Sequence, residues 1–89
     1  MENKFELQKT EKGFLFLPMK GSDTAKFGGI GVCDFCANYA AEGKLIPALN
    51  CYYCNDCFER WNRDASYYPE DSNYENRKAQ YYLEILNNH

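Results

Sequence analysis

Four of the five cysteines fall into two pairs, Cys33-Asp34-Phe35-Cys36 and Cys54-Asn55-Asp56-Cys57, and no other feature constrains the chain as much. Two intervening residues let both sulfurs of a pair turn back toward one point. Two such knuckles, joined by a loop long enough to return, can place four thiolates around a tetrahedral zinc ion. The expectation is one structural Zn²⁺ held by Cys33, Cys36, Cys54 and Cys57. The second knuckle has an alternative register, because Cys51 and Cys54 form a CxxC of their own. Cys54 with Cys57 is preferred. Asn55 or Asp56 suits the cap of a helix beginning at Cys57, and N–H groups at a helix start favour thiolate. Cys51 is then expected as a small buried apolar residue on a strand.

Other cysteine chemistries fit less well. Met1-Glu2-Asn3-Lys4-Phe5-Glu6 is polar and mixed in charge, with no apolar run after it, so the expected setting is cytoplasmic, where disulfides are uncommon. Cys51, Cys54 and Cys57 form CxxCxxC, but Phe58-Glu59-Arg60-Trp61 replaces the Cys-Pro continuation of a cluster-binding ferredoxin. A catalytic zinc needs an open coordination position, and four thiolates close the shell. The one histidine, His89, is terminal. No enzyme activity and no catalytic residue are expected.

The 89 residues are read as one zinc-binding domain: a β-hairpin and loop over 1–31, a zinc finger over 32–65 and a C-terminal helix over 66–89. A structural zinc supplies about 10–16 kcal/mol of apparent binding energy, as much as the net stability of a whole domain, so its loss should unfold at least the centre. Phe5-Glu6-Leu7-Gln8-Lys9-Thr10 alternates apolar and polar at its start, Glu11-Lys12-Gly13 is a turn, and Phe14-Leu15-Phe16-Leu17 runs into Pro18, the pattern of a hairpin. Residues 20–31, ending in Gly28-Gly29-Ile30-Gly31, lack phosphate-loop spacing and read as a flexible connector. Residues 39–49 suggest a second hairpin turning at Glu42-Gly43. Asn38 is the residue suited to a left-handed turn after the first knuckle. A helix is expected through residues 57–65, with Cys57, Trp61 and Asp64 or Ala65 on one face. Ser72-Asn73-Tyr74-Glu75 matches a capping box for a last helix over 73–86. The fold class is therefore α+β. Knuckle, hairpin and a second CxxC whose last cysteine opens a helix resemble the treble-clef zinc finger, over residues 32–65. The resemblance implies a structural metal and leaves the task open.

Seven of the eight tyrosines follow residue 50. On a helical wheel Tyr74, Tyr81 and Ile85 stand together, with Tyr82 continuing the same broad side, and this face is expected to bind a protein partner or a second copy. Residues 32–89 carry nine acids against five bases, which disfavours nucleic acid. A contiguous patch of Lys20, Lys26, Lys44, Arg60 and Arg63 would reverse that preference. No apolar stretch is long enough to span a membrane. The functional expectation is a zinc-stabilised protein–protein interaction module, of a size common among bacterial and phage accessory or inhibitor proteins, with a nucleic-acid-binding zinc finger as the alternative.

Overall fold

Leu15-Phe16-Leu17, Leu45-Ile46 and Tyr52-Tyr53 are unbroken apolar runs, and successive side chains of a strand point to opposite faces. Each run therefore supplies both faces of a sheet covered on both sides. The computed structural model describes residues 5–88 and contains that sheet. Strands β1 (Gln8–Lys9), β2 (Leu15–Lys20), β3 (Glu42–Ile46) and β4 (Cys51–Cys54) lie in the order β1-β2-β3-β4, each antiparallel to its neighbour. Helix α1 (Asn55–Asp64) follows β4 without a linker, and α2 (Ser72–Asn87) comes last. Short 3₁₀ segments occupy Gly21–Phe27 and Pro69–Asp71. The architecture is α+β, and the N-terminal hairpin and the cysteine-bearing β4 share one sheet.

The alternation sorts the side chains into two cores. Leu17, Leu45 and Tyr52 stand in register across three strands and pack with Tyr82 and Leu86 of α2. On the other face Phe16, Ile46 and Tyr53 meet Cys57 and Phe58 of α1, and the buried Cys33 joins them. Each large apolar side chain so buried contributes about 1.5–3 kcal/mol. Trp61 extends the second core toward Phe14 at a ring-centroid distance of 4.5 Å. The buried side of α1 is thus Cys57, Phe58 and Trp61, while Asp64 is exposed.

Four local expectations are corrected. β2 does not stop at Pro18. β1 pairs only with Leu15 and Phe16, so at Pro18 the strand has a ladder partner, Lys44, on one side alone. A proline is tolerated where its nitrogen faces no strand. The segment read as a connector holds the 3₁₀ turns, tied by the buried Thr24 hydroxyl donating to the Gly21 carbonyl at 2.7 Å. Glu42-Gly43 is not a turn but the start of β3, and the hairpin turns instead at residues 47–50, where Asn50 takes a left-handed φ of 61°. Gly43 is required for another reason. A Cβ there would lie 2.4 Å from the Tyr53 carbonyl oxygen and 2.9 Å from the Tyr52 ring.

The fourth correction concerns the capping box, which does not form. The 3₁₀ turn that opens at Pro69 runs straight into α2, so Ser72 already has helical backbone (φ −64°, ψ −32°). Glu75 is released from that role. It is buried, and its Oε2 accepts the Leu15 backbone N–H at 2.8 Å, fastening α2 to β2.

Candidate metal centre

The first knuckle is shaped by its own backbone. The N–H groups of Phe35 and Cys36 donate to Cys33 Sγ at 3.3 and 3.4 Å, which draws the chain around that sulfur. Ala37 N–H donates to the Cys33 carbonyl at 2.9 Å and Cys33 N–H to the Asn38 carbonyl at 2.9 Å, closing the loop over a Val32–Tyr39 bridge. The left-handed residue is Ala37 (φ 66°), not Asn38. Asn38 instead directs its side-chain amide to Cys36 Sγ at 3.6 Å.

The second knuckle is the junction of β4 and α1. Cys54 has extended backbone (φ −66°, ψ 164°) and is itself the residue before the first helical turn, with no side-chain cap. Neither Asn55 nor Asp56 caps the helix, which corrects the expected cap position. Both lie within the first turn, and Asn55 Oδ1 accepts from Lys44 Nζ at 2.5 Å. Cys57 follows inside that turn, so helix start and knuckle coincide.

Asp34 joins the two halves. Its backbone N–H donates to the Tyr52 carbonyl at 2.8 Å, and its Oδ2 accepts the Tyr52 N–H at 3.0 Å. The outer edge of β4 is thereby paired with the first knuckle. Phe35 adds an edge-on contact with Tyr53 at 5.7 Å between centroids. Sequence reasoning passed over Asp34 because a carboxylate inside CxxC carries no signature. Its role depends on β4 lying beside it.

The result is a four-sulfur cage. Cys33, Cys36, Cys54 and Cys57 bring their ligand atoms within 4.8 Å of one another, with Cys36 Sγ and Cys54 Sγ 4.0 Å apart. Metal–sulfur bonds of about 2.3 Å in a tetrahedron require sulfurs about 3.8 Å apart. Disulfide sulfurs stand at about 2.05 Å, and all five cysteines are free. The four are positioned to hold one metal ion. Cys51 stays outside, donating its thiol to the Leu49 carbonyl at 3.3 Å, and burial with the nearby Asp34 carboxylate pushes that thiol upward.

The cage is electrostatically uneven without a metal. Burial opposes charge on Cys33, but the backbone N–H groups of Cys36, Cys54 and Phe35 prevail and bring its thiol down to about 7. Burial, and hydrogen bonding to the other three sulfurs, push Cys57 up to about 12. A cation entering the cage must therefore displace the Cys57 proton to gain that sulfur as a ligand.

The other expected surfaces separate more sharply. Tyr74 and Tyr81 are 45 % and 54 % exposed on α2, and Ile85 is half-buried. Tyr82 is not on that surface: it is a core residue whose hydroxyl donates to Asn50 Oδ1. The wheel could not distinguish them, since the face of α2 that meets the sheet is set by packing. Lys20, Lys26 and Lys44 line one open groove of ≈ 680 Å³, but Glu6, Asp23 and Glu42 line it too. Lys26 lies over the Phe5 ring and Lys44 over Phe58. Arg60 and Arg63 are not in the groove, and Arg63 lies 3.8 Å from Asp64. Among the described residues no helix is long and apolar enough to cross a membrane.

Comparison of the chain with models of known protein families, with characterised proteins and with solved structures finds no match.

Proposed function

We propose that this chain is a zinc-stabilised module of treble-clef type that acts in the cytoplasm by binding a protein partner and has no catalytic activity of its own. The observation that carries the reading is the closed cage of four cysteine sulfurs, with the exposed tyrosines of α2 lying apart from it. Four thiolates in a tetrahedron suit zinc and leave no coordination position for a substrate or an activated water. The order of knuckle, β3–β4 hairpin and helix-opening knuckle supports the treble-clef assignment. Tyr74 and Tyr81, flanked by the half-buried Ile85, offer amphipathic contact area of the kind enriched at interfaces. An accessory or inhibitory role, as small bacterial and phage proteins play, is part of this proposal.

The nucleic-acid reading has one observation in its favour, the convergence of Lys20, Lys26 and Lys44 on a single groove. Three interleaved carboxylates and two aromatic rings occupied by lysines weaken it, because phosphate binding scales with the number of cations free to displace counterions.

Elemental analysis of protein purified without added metal should give one zinc per chain; two metals, or iron with sulfide, would refute the cage as read. Sedimentation and partner capture should then be compared for the wild type and Tyr74→Ala/Tyr81→Ala. Loss of association with an unchanged fold is expected. Unaltered association would sink the tyrosine face, and tight, salt-sensitive binding of single-stranded DNA or RNA would promote the alternative.

A further inference from the structure

The segment between the helices builds a second concavity, away from the cysteines. Phe14, Tyr67, Tyr68 and Tyr74 wall a cavity of ≈ 280 Å³ whose charged groups are the carboxylates of Asp71 and Glu75; no lysine, arginine or histidine lines it. Tyr67 stands edge-on to Phe14 at 5.3 Å, which holds one corner of the aromatic wall. Tyr68 and Tyr74 are half-exposed at 55 % and 45 %. Glu75 is 3 % exposed, and among the described residues it has no ion-pair partner. Among the described residues its hydrogen-bond partner is the Leu15 N–H, and no cationic side chain stands beside it.

This chemistry selects one kind of ligand. A carboxylate out of water is costly unless a cation or several donors answer it. The start of α2 contributes about half a positive unit charge, which two carboxylates exceed. An anion would meet both Asp71 and Glu75. A neutral apolar group would fill the aromatic wall but leave both carboxylates without a counter-charge. A cation clothed in methyl groups satisfies both parts at once, because aromatic faces attract it and the carboxylates neutralise it.

We propose that this cavity binds an alkylated ammonium group, its head against Glu75 and Asp71 and its methyl groups among Tyr68, Tyr74 and Phe14. The proposal depends on neither the identity of the metal nor the Tyr81 surface. Such a group occurs free, as in choline, or on a protein, as in a methylated lysine, and the cavity chemistry is the same for both.

The test is an NMR titration of the metal-loaded full chain, following the amides of Leu15 and of residues 66–68 and 70–75. The probes are choline, a short peptide carrying trimethyllysine, and the neutral tert-butyl isostere of choline. Saturable shifts are expected with both cations, and binding of the isostere about tenfold weaker. Glu75→Gln keeps an acceptor for the Leu15 N–H while removing the charge, and should weaken cation binding by about tenfold. Tyr68→Ala changes a surface residue and should also weaken it. Tighter binding of the peptide than of choline assigns the source to a partner protein; the reverse assigns it to a free cation. No saturable shift with either cation, an isostere that binds as well as choline, or unchanged binding in both variants would overturn the proposal.

Discussion

At the residue scale the metal centre divides its cysteines by position, not by chemistry. Cys51 and Cys57 each stand three residues from Cys54, yet only Cys57 reaches the cage, because α1 begins between Cys54 and Cys57 and turns the chain toward Cys33. Cys57→Ser should therefore lose both metal and fold, whereas Cys51→Ser keeps both, as read by metal content and far-UV circular dichroism. Asp34 ligates nothing and still belongs to the centre, since it pairs the first knuckle with β4. Asp34→Ala removes the acceptor for the Tyr52 N–H and should cost about 1–3 kcal/mol. Chelator competition should show this as weakened metal binding, with Asp34→Asn intermediate. Acid should act on the same cage. The Cys33 thiol is lowered from the ordinary 9.0 to about 7, so the stabilisation its thiolate brings is present above 9 and lost as pH falls through 7. Below that point an additional proton must be displaced for the metal to bind. Metal affinity should fall more steeply with acidification below about pH 7 than above it; a slope constant from pH 8 to about 6 would contradict this.

At the element scale β3 is the member least tolerant of change. It lies between β2 and β4, supplies Leu45 and Ile46 to opposite cores, and approaches β4 so closely at Gly43 that no side chain fits. The nearest obstacle there is the Tyr53 carbonyl oxygen, part of the backbone leading into the second knuckle. Gly43→Ala must shift that backbone, and overpacking of this kind costs about 1–3 kcal/mol. Urea unfolding monitored by tyrosine and tryptophan fluorescence should show the loss; an unchanged midpoint would mean that β3 and β4 can separate freely. In the sequence Glu42-Gly43 has the composition of a turn. Glycine serves turns and close approaches alike, and only the path of β4 distinguishes them. Glu75 misled for a related reason. Three residues after a serine it fits a capping pattern, but Pro69 starts the helical turns early enough to carry Ser72 past the cap position.

At the scale of the whole molecule the two cores are not independent. They lie on opposite faces of the same three strands, and the adjacent pairs Leu45-Ile46 and Tyr52-Tyr53 contribute one side chain to each. The cysteine cage sits at one margin of this arrangement, through Cys33 and Cys57 in the second core. Metal removal should therefore not melt α1 alone. A strong chelator is expected to abolish the aromatic circular dichroism around Trp61 and most of the helical signal together, including that of α2, and re-added zinc should restore both. A stable remnant of β2, β3 and α2 after chelation would show instead that the first core folds unaided.

The sequence by itself determined the α+β class, the presence of two cysteine knuckles and the preference for Cys57 over Cys51. These are local matters of spacing, period and helix start, legible within a few residues. The N-terminal hairpin was legible too, from the alternation that begins at Phe5 and the apolar run after Glu11-Lys12-Gly13. What the tertiary structure decided was how the pieces meet: β2 joining β3 in one sheet, Asp34 bonding to Tyr52, Glu75 reaching Leu15, and Tyr82 rather than Tyr81 turning inward. Each of these pairs residues far apart in the chain. A helical period says which residues share a side, but not which part of that side the rest of the molecule will cover. The cavity between Phe14 and the Tyr67-to-Glu75 segment is of the same kind, since its aromatic walls and its carboxylates become one site only when α2 packs against β2.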